Sequence, residues 1–372
     1  MSRYWSKLVG RLTPYIPGEQ PSEKGLIKLN TNESPYAPSP AVMAAIGSVS
    51  GEQLRLYPDP ESQSLKEAFA ERNGLKPDQV FLGNGSDEVL AHVFQALLSH
   101  DKPVYFPEVS YSFYPVWCEL YGLSYRGVPL TPDFGVDINA FPSDNGGIVI
   151  ANPNAPTGML LGLDSVTEIL EFNAGSVVVI DEAYIDFGGE SAVTLIDQYD
   201  NLLVVQTVSK SRSLAGLRVG LAMGHRDLIV GLERIKNSFN SYPLDTLAQR
   251  ATLASLRDEA FFRESCAKII ASRDRLSREM TTLGFKVLPS MANFIFATHP
   301  DREARQLFDD LRRNNILVRY FAGAATGDYL RISIGTDEEC NVLLTALNGL
   351  LEPVGKNSQD ENQRTENAGA KQ

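Results

Sequence analysis

Thr207-Val208-Ser209-Lys210-Ser211-Arg212-Ser213-Leu214-Ala215-Gly216-Leu217-Arg218 begins where the apolar stretch Leu202 to Val208 ends. A buried strand that runs out into hydroxyls, one lysine and an arginine presents its chemistry at its carboxyl end. Upstream, Ser176 to Ile180 is a second apolar strand, and it ends in Asp181-Glu182-Ala183-Tyr184. Working outward, Val80–Leu82, Pro103–Phe106, Ser124–Val128, Ile148–Ala151 and Val219–Met223 read as further short apolar strands. Helical patterns over Asp87–Leu98, Ser112–Leu120 and Ser165–Asn173 lie between them. Apolar strands joined by helices predict an α/β fold, a mostly parallel central sheet covered on both faces. In such sheets ligands bind beyond the carboxyl ends of the strands, where Asn152, Asp181 and Lys210 fall.

The flanks differ. Residues 1 to about 37, rich in Pro, Gly and Tyr, read as an irregular arm that needs a surface to pack on. Leu244 to Leu283 reads as one long helical connector. After it, strand-like Phe285–Leu288, Asn293–Ala297, Leu317–Tyr320 and Tyr329–Ile334, with helices Arg302–Arg313 and Glu338–Leu351, predict a smaller α+β unit. We therefore expect a large cofactor-binding domain over 50–265. Residues 1–49 and 266–354 should form the arm and small domain. The polar run 355–372 carries no large apolar residue and should be disordered.

Composition narrows the function. A chain of 372 residues, 43% hydrophobic and 22% charged, can bury a substantial core. A net charge of −12 argues against nucleic acid or an anionic membrane as partner. Three scattered cysteines and four histidines without ligand spacing argue against disulfides, a metal site or a histidine-based triad. No apolar segment has signal-peptide or membrane-spanning length, so a cytoplasmic protein is expected.

The two strand ends suit pyridoxal phosphate, whose chemistry sets four tasks for a protein. Lys210 can condense with the aldehyde and move a proton, once its neighbours lower its amine pKa. Asp181 can keep the ring nitrogen protonated. Tyr184, Asn152 or Asn154 can meet the ring hydroxyl. Gly85, Ser86 and Asp87 open a helix straight after a strand, as a phosphate cradle would, with Thr207, Ser209 and Arg218 completing it. The glycine run is no dinucleotide fingerprint, because Glu88 stands where the third glycine belongs.

Beyond these readings, NPNAPTG (152–158), DEAYIDF (181–187), SKSRSLAGLRVG (209–220) and YLRISIG (329–335) resemble the signature blocks of class II aminotransferases of fold type I. PYIPGEQP (14–21), LNTNESPYAPSP (29–40), RLYPDP (55–60) and NGSDEVL (84–90) bring the resemblance closest to the histidinol-phosphate aminotransferase family. It implies a homodimer that passes an amino group from histidinol phosphate to 2-oxoglutarate in histidine biosynthesis. The alternative is an aromatic-amino-acid aminotransferase on the same scaffold. It also implies that Tyr57 reaches the phosphate of the second subunit and that Arg331 anchors the acidic end of the substrate. Arg319, on a neighbouring strand, either joins Arg331 or is solvated. Tyr15 and Tyr242 either reach the neighbouring active site or anchor packing. Tyr111, with Tyr114 as the alternative, would stack on the ring. The family's asparagine before Pro-Thr-Gly is Ala155 here, leaving Asn152, Asn154 or Tyr184 alone for the ring hydroxyl.

Overall fold

The computed structural model describes residues 2–21, 23, 25–98 and 100–352; the tail 355–372, expected to be disordered, lies outside them. Thirteen strands occur among these residues. β1 (Ile27–Lys28) lies in the N-terminal segment. β2 (Val80–Asn84), β3 (Val104–Pro107), β4 (Tyr125–Val128), β5 (Ile148–Ala151), β6 (Val178–Asp181), β7 (Leu202–Thr207) and β8 (Val219–Gly224) form one sheet in the order β2-β8-β7-β6-β5-β3-β4. Its pairings are parallel except for β8, which runs antiparallel to both neighbours. The link from β7 to β8 holds the Lys210 run and only one short turn of helix, too little for the crossover a parallel pair needs.

Both faces of this sheet are covered, and the side chains show it by alternation. Val178, Ile180 and Val204 belong to one core cluster, whereas Val179, Leu203 and Val205 belong to another on the opposite face. That is why these strands read as continuous apolar runs. The strand order reverses between β5 and β3, which opens a crevice at their carboxyl ends.

β9 (Lys286–Val287), β10 (Phe294–Thr298), β12 (Arg319–Tyr320) and β13 (Leu330–Ser333) form a second, antiparallel sheet in the order β12-β13-β10-β9. β11 (Ile316–Leu317) pairs in parallel with β1. The predicted strand Leu317–Tyr320 is therefore two two-residue strands in different sheets.

The single connector helix expected over Leu244–Leu283 is two helices, Thr246–Arg257 and Glu259–Thr282. Asp258 (φ −100°, ψ 62°) breaks the first, and its carboxylate caps the second by accepting from Phe261 N–H at 3.4 Å. The break separates two cores. Ala248 and Ala251 pack under the large sheet, whereas Phe262, Cys266, Ile269, Leu276 and Met280 pack with β10 and β13. The N-terminal segment divides as well: Leu29 enters the smaller core, but Val42, on helix Pro40–Gly47, enters the larger one. By packing, the units meet near residue 258, and the large one begins before residue 50. Among the described residues no helix is long and apolar enough to cross a membrane.

Candidate active site

The carboxyl ends of β5, β6 and β7 converge on a cavity of about 190 Å³, closed from above by the N-terminal segment and by β12 and β13. Lys210, Asp181, Tyr184, Ser86, Asp87, Tyr111, Thr207, Ser209, Arg218, Arg319, Arg331 and Tyr15 all line it. Residues as far apart in sequence as 15 and 331 thus share one space.

At its floor, the Lys210 ammonium donates to Thr31 O at 3.2 Å and sits 5.9 Å from the centroid of the Tyr184 ring. Burial lowers its pKa to about 8; Arg331 adds to the fall, while Glu33 and Asp87 oppose it. Asp181 is 5% exposed and accepts from Tyr114 Oη at 2.8 Å and Ala183 N–H at 3.3 Å. Burial raises its carboxyl to about 6 despite both bonds, because no cation is close enough to offset the desolvation.

One end of the cavity is built for an anion. Helix Gly85–Ala96 starts there with no side-chain cap from Asn84, which leaves first-turn N–H groups facing outward. Arg218, held at φ +54°, lays its guanidinium over that start and bonds Asp87 at 3.1 Å. Gly85 makes this approach possible, since a Cβ there would lie 2.5 Å from Arg218 Nη2. Gly220 allows β8 to touch the same turn, where a Cβ would stand 2.3 Å from Ser86 N. Thr207 and Ser209, hydrogen-bonded to each other at 3.0 Å, complete the cradle. A buried carboxylate without a cation, an amine of lowered pKa and an anion cradle in one cavity fit pyridoxal phosphate.

The opposite end holds two cations. Arg319 and Arg331 are direct cross-strand partners on β12 and β13. Arg331 donates to Asn30 O at 2.9 Å and lies between the rings of Phe294 and Phe321, its Nε buried without a partner. Arg319 donates to Ile16 O at 3.3 Å. Like charges directly opposite on paired strands repel, and among the described residues no carboxylate bonds to either. An anionic ligand would relieve that repulsion.

Some expected contacts change. Asn152 spends its amide on Leu161, accepting from N–H at 2.8 Å and donating to O at 2.9 Å. Asn154 donates to Val109 O and Thr157 Oγ1, both at 3.0 Å. Neither lines the cavity, whereas Ala155, where the family's asparagine would stand, does; Asn154 Oδ1 is buried without a partner. Both asparagines instead fix the loop after β5. Tyr114 is fully buried and supports Asp181 from behind, while Tyr111 stands in the cavity wall with its hydroxyl on Asp87 at 2.8 Å. Tyr57 and Tyr242 lie outside the cavity of their own chain, stacked on each other with centroids 4.6 Å apart and exposed by 82% and 41%. Tyr15 lines the cavity of its own chain, packed on Phe113 at 4.6 Å.

Sequence reasoning missed the strap Asn30-Thr31-Asn32, which lines the cavity and touches Arg331, Lys210 and Tyr184 in turn. Its one signal was LNTNES, a run of small polar residues between an arm and a helix.

The sequence profile of the family described as aminotransferase class I and II matches residues 24–347. Histidinol-phosphate aminotransferase 2 of Dechloromonas aromatica is 57% identical over 355 residues, covering 93% of this chain and 99% of the relative. Histidinol-phosphate aminotransferase 1 of Pseudomonas aeruginosa is 54% identical over 350 residues, covering 94% and 100%. Among solved structures, histidinol-phosphate aminotransferase of Sinorhizobium meliloti in complex with pyridoxal-5'-phosphate superposes with a TM-score of 0.85 at 25% identity. That match covers 94% of this chain and 98% of the other.

Proposed function

The chain belongs to the class I and II aminotransferase family, and we propose that it transfers the amino group of histidinol phosphate to 2-oxoglutarate, giving imidazole acetol phosphate and glutamate in histidine biosynthesis. The names and near-full-length identity of the relatives support this substrate. The observation that carries it is the pair of guanidinia, Arg319 and Arg331, facing the same cavity as Lys210. Histidinol phosphate brings a phosphate and no carboxylate; 2-oxoglutarate brings carboxylates and no phosphate. An arginine fork pairs bidentately with either group, so one pocket serves both half-reactions.

Pyridoxal phosphate, when bound, supplies an aldehyde and an electron sink. Arg218, Ser86, Thr207, Ser209 and the N–H groups of the helix start hold its phosphate, and Asp181 keeps its ring nitrogen protonated. Tyr184 offers a hydroxyl to the ring oxygen, and Tyr111 covers the ring face. Lys210 Nζ would take the proton from the amine-bearing carbon of the substrate. Tyr15 and the two arginines hold the far end of the substrate and keep water from it.

The test is a half-reaction titration, in which histidinol phosphate, phenylalanine or aspartate is added and the visible spectrum followed. Histidinol phosphate should convert the wild type fastest. In Arg331→Lys, which keeps the charge and loses the fork, conversion by histidinol phosphate and reconversion by 2-oxoglutarate should both weaken about tenfold, or about 1.4 kcal/mol. Cofactor binding should be unchanged. Faster conversion by phenylalanine would give the substrate assignment to an aromatic amino acid.

The active unit in this reading is a symmetric dimer in the cytoplasm. The exposed stack of Tyr57 and Tyr242 supports the dimer as a surface that needs a cover. The three buried, unpaired cysteines suit a reducing compartment. If Tyr57 completes the phosphate site of the other subunit, mixing Tyr57→Ala subunits with Lys210→Ala/Arg218→Ala subunits restores one intact site per heterodimer. Heterodimers with no regained activity would rule out the shared site.

A further inference from the structure

We propose that Asn32 is a positioning residue that aims the proton of the Tyr184 hydroxyl into the cavity. The proposal rests on the transaminase reading above and adds a residue to it.

The direction is set by a main-chain N–H, which can only donate. Asn32 N–H donates to Ser333 Oγ at 2.8 Å. That hydroxyl, having accepted, directs its own proton to Asn32 Oδ1 at 2.9 Å. The amide orientation follows: with Oδ1 on Ser333, the Nδ2 end faces Tyr184 and donates to its hydroxyl oxygen at 3.0 Å. Tyr184 therefore accepts from Asn32, and its proton must point elsewhere, toward the cavity that Tyr184 lines. The chain of donors fixes a direction that the tyrosine alone would leave free to rotate.

The surroundings hold Asn32 rigidly enough for this. It is 1% exposed and sits at φ +56°, a left-handed conformation that asparagine accepts better than most side chains. Asn293 Nδ2 donates to its carbonyl at 3.0 Å, and Ser333 N–H donates to Leu29 O at 3.0 Å. Two elements of the smaller unit thus clamp the strap that holds a tyrosine of the larger one. Arg331, Asp181, Asp87 and Lys210 also face Tyr184, but none of them hydrogen-bonds its hydroxyl.

The consequence is chemical. When the proton shared by Lys210 and the ring oxygen is lost, negative charge remains on that oxygen. A hydroxyl already aimed at it stabilises the deprotonated form without reorientation. Asn32 should hold down the pH at which the loaded enzyme's visible band changes.

The experiment titrates that band in purified, cofactor-loaded protein. Asn32→Gly removes the amide yet tolerates φ +56°, and Asn32→Asp keeps the shape but turns a donor into an acceptor that claims the tyrosine proton. Both should raise the midpoint, by about one pH unit, a tenfold change in the proton equilibrium. Ser333→Ala frees the amide to flip and should raise it less, whereas Ser333→Thr should leave it in place. In a Tyr184→Phe background, Asn32→Gly should add no further shift. A merely structural role would not give that dependence. An unchanged midpoint in folded Asn32→Gly and Asn32→Asp, or an equal shift with and without the Tyr184 hydroxyl, would overturn the proposal. Wild-type protein that takes up no cofactor and shows no visible band would sink the transaminase reading instead.

Discussion

Lys210→Ala should end turnover while leaving a folded protein that still takes up pyridoxal phosphate through the Arg218 cradle. At pH 7.5 an amine of pKa 10.5 is neutral in only about one molecule in a thousand. At the pKa of about 8 that burial and Arg331 give Lys210, about a quarter is neutral. Attack on the aldehyde needs the neutral amine, so uptake of pyridoxal phosphate by the cofactor-free protein should quicken with rising pH, reach half its gain near pH 8 and level off above that. Alanine offers neither an amine for that attack nor a base for the proton transfer. Since general-base catalysis alone contributes about 10²–10⁴-fold, we expect a loss of at least about 10⁴ in the half-reaction rate. Borohydride reduction followed by peptide mapping locates the reacting amine directly. The expected label is on Lys210. Of the two other buried lysines among the described residues, Lys66 is 8% exposed and Lys236 is 2% exposed and bonded to Glu61, Glu233 and Pro60 O. A label found there would displace Lys210 from its role.

How far the sequence revealed this site depended on the range of the interactions. β5, β6 and β7 were legible because strands buried on both faces must be apolar at every position, and their polar ends then stand out. The break at Asp258 was not legible. It carries no proline or glycine, and only the separation of the two cores reveals it. The pairing of Arg319 with Arg331 could be read from strand spacing, whereas the bond from Asn32 to Ser333 spans 301 positions and left no local pattern. Asn152 and Asn154 were ambiguous for a related reason. An asparagine beside a strand end suits a ligand as well as it suits a loop, and here the loop after β5 takes both NH₂ groups, while Asn154 Oδ1 stays buried without a partner. Tyr15, which the sequence left between a neighbouring active site and a packing anchor, packs its ring in the cavity of its own chain.

Asp181→Asn should separate stability from activity in opposite directions. In cofactor-free protein the Asp181 carboxyl has its pKa raised from 3.8 to about 6, so the folded state holds the proton more tightly than the unfolded state. Stability should therefore fall as pH rises from the unfolded value through about 6. Above that the cost is constant, about 3 kcal/mol for a shift of this size. An amide carries no charge to desolvate, and its oxygen can still accept from Tyr114 Oη. Its NH₂ end then faces Ala183 N–H, which offsets part of the gain. Cofactor-free Asp181→Asn should thus be more stable than wild type at pH 7.5, by about 2 kcal/mol, and equal to it or weaker near pH 4. Denaturant unfolding at the two pH values measures this. Activity should move the other way, by at least about a hundredfold, because a neutral amide cannot hold a proton on the ring nitrogen. Cofactor binding should also stabilise the wild type more than the mutant, since only the wild type gains a cation beside a buried carboxylate. A mutant that turns over within a few-fold of wild type, or that gains nothing in stability at pH 7.5, would show that the buried charge of Asp181 is not what the site is built around.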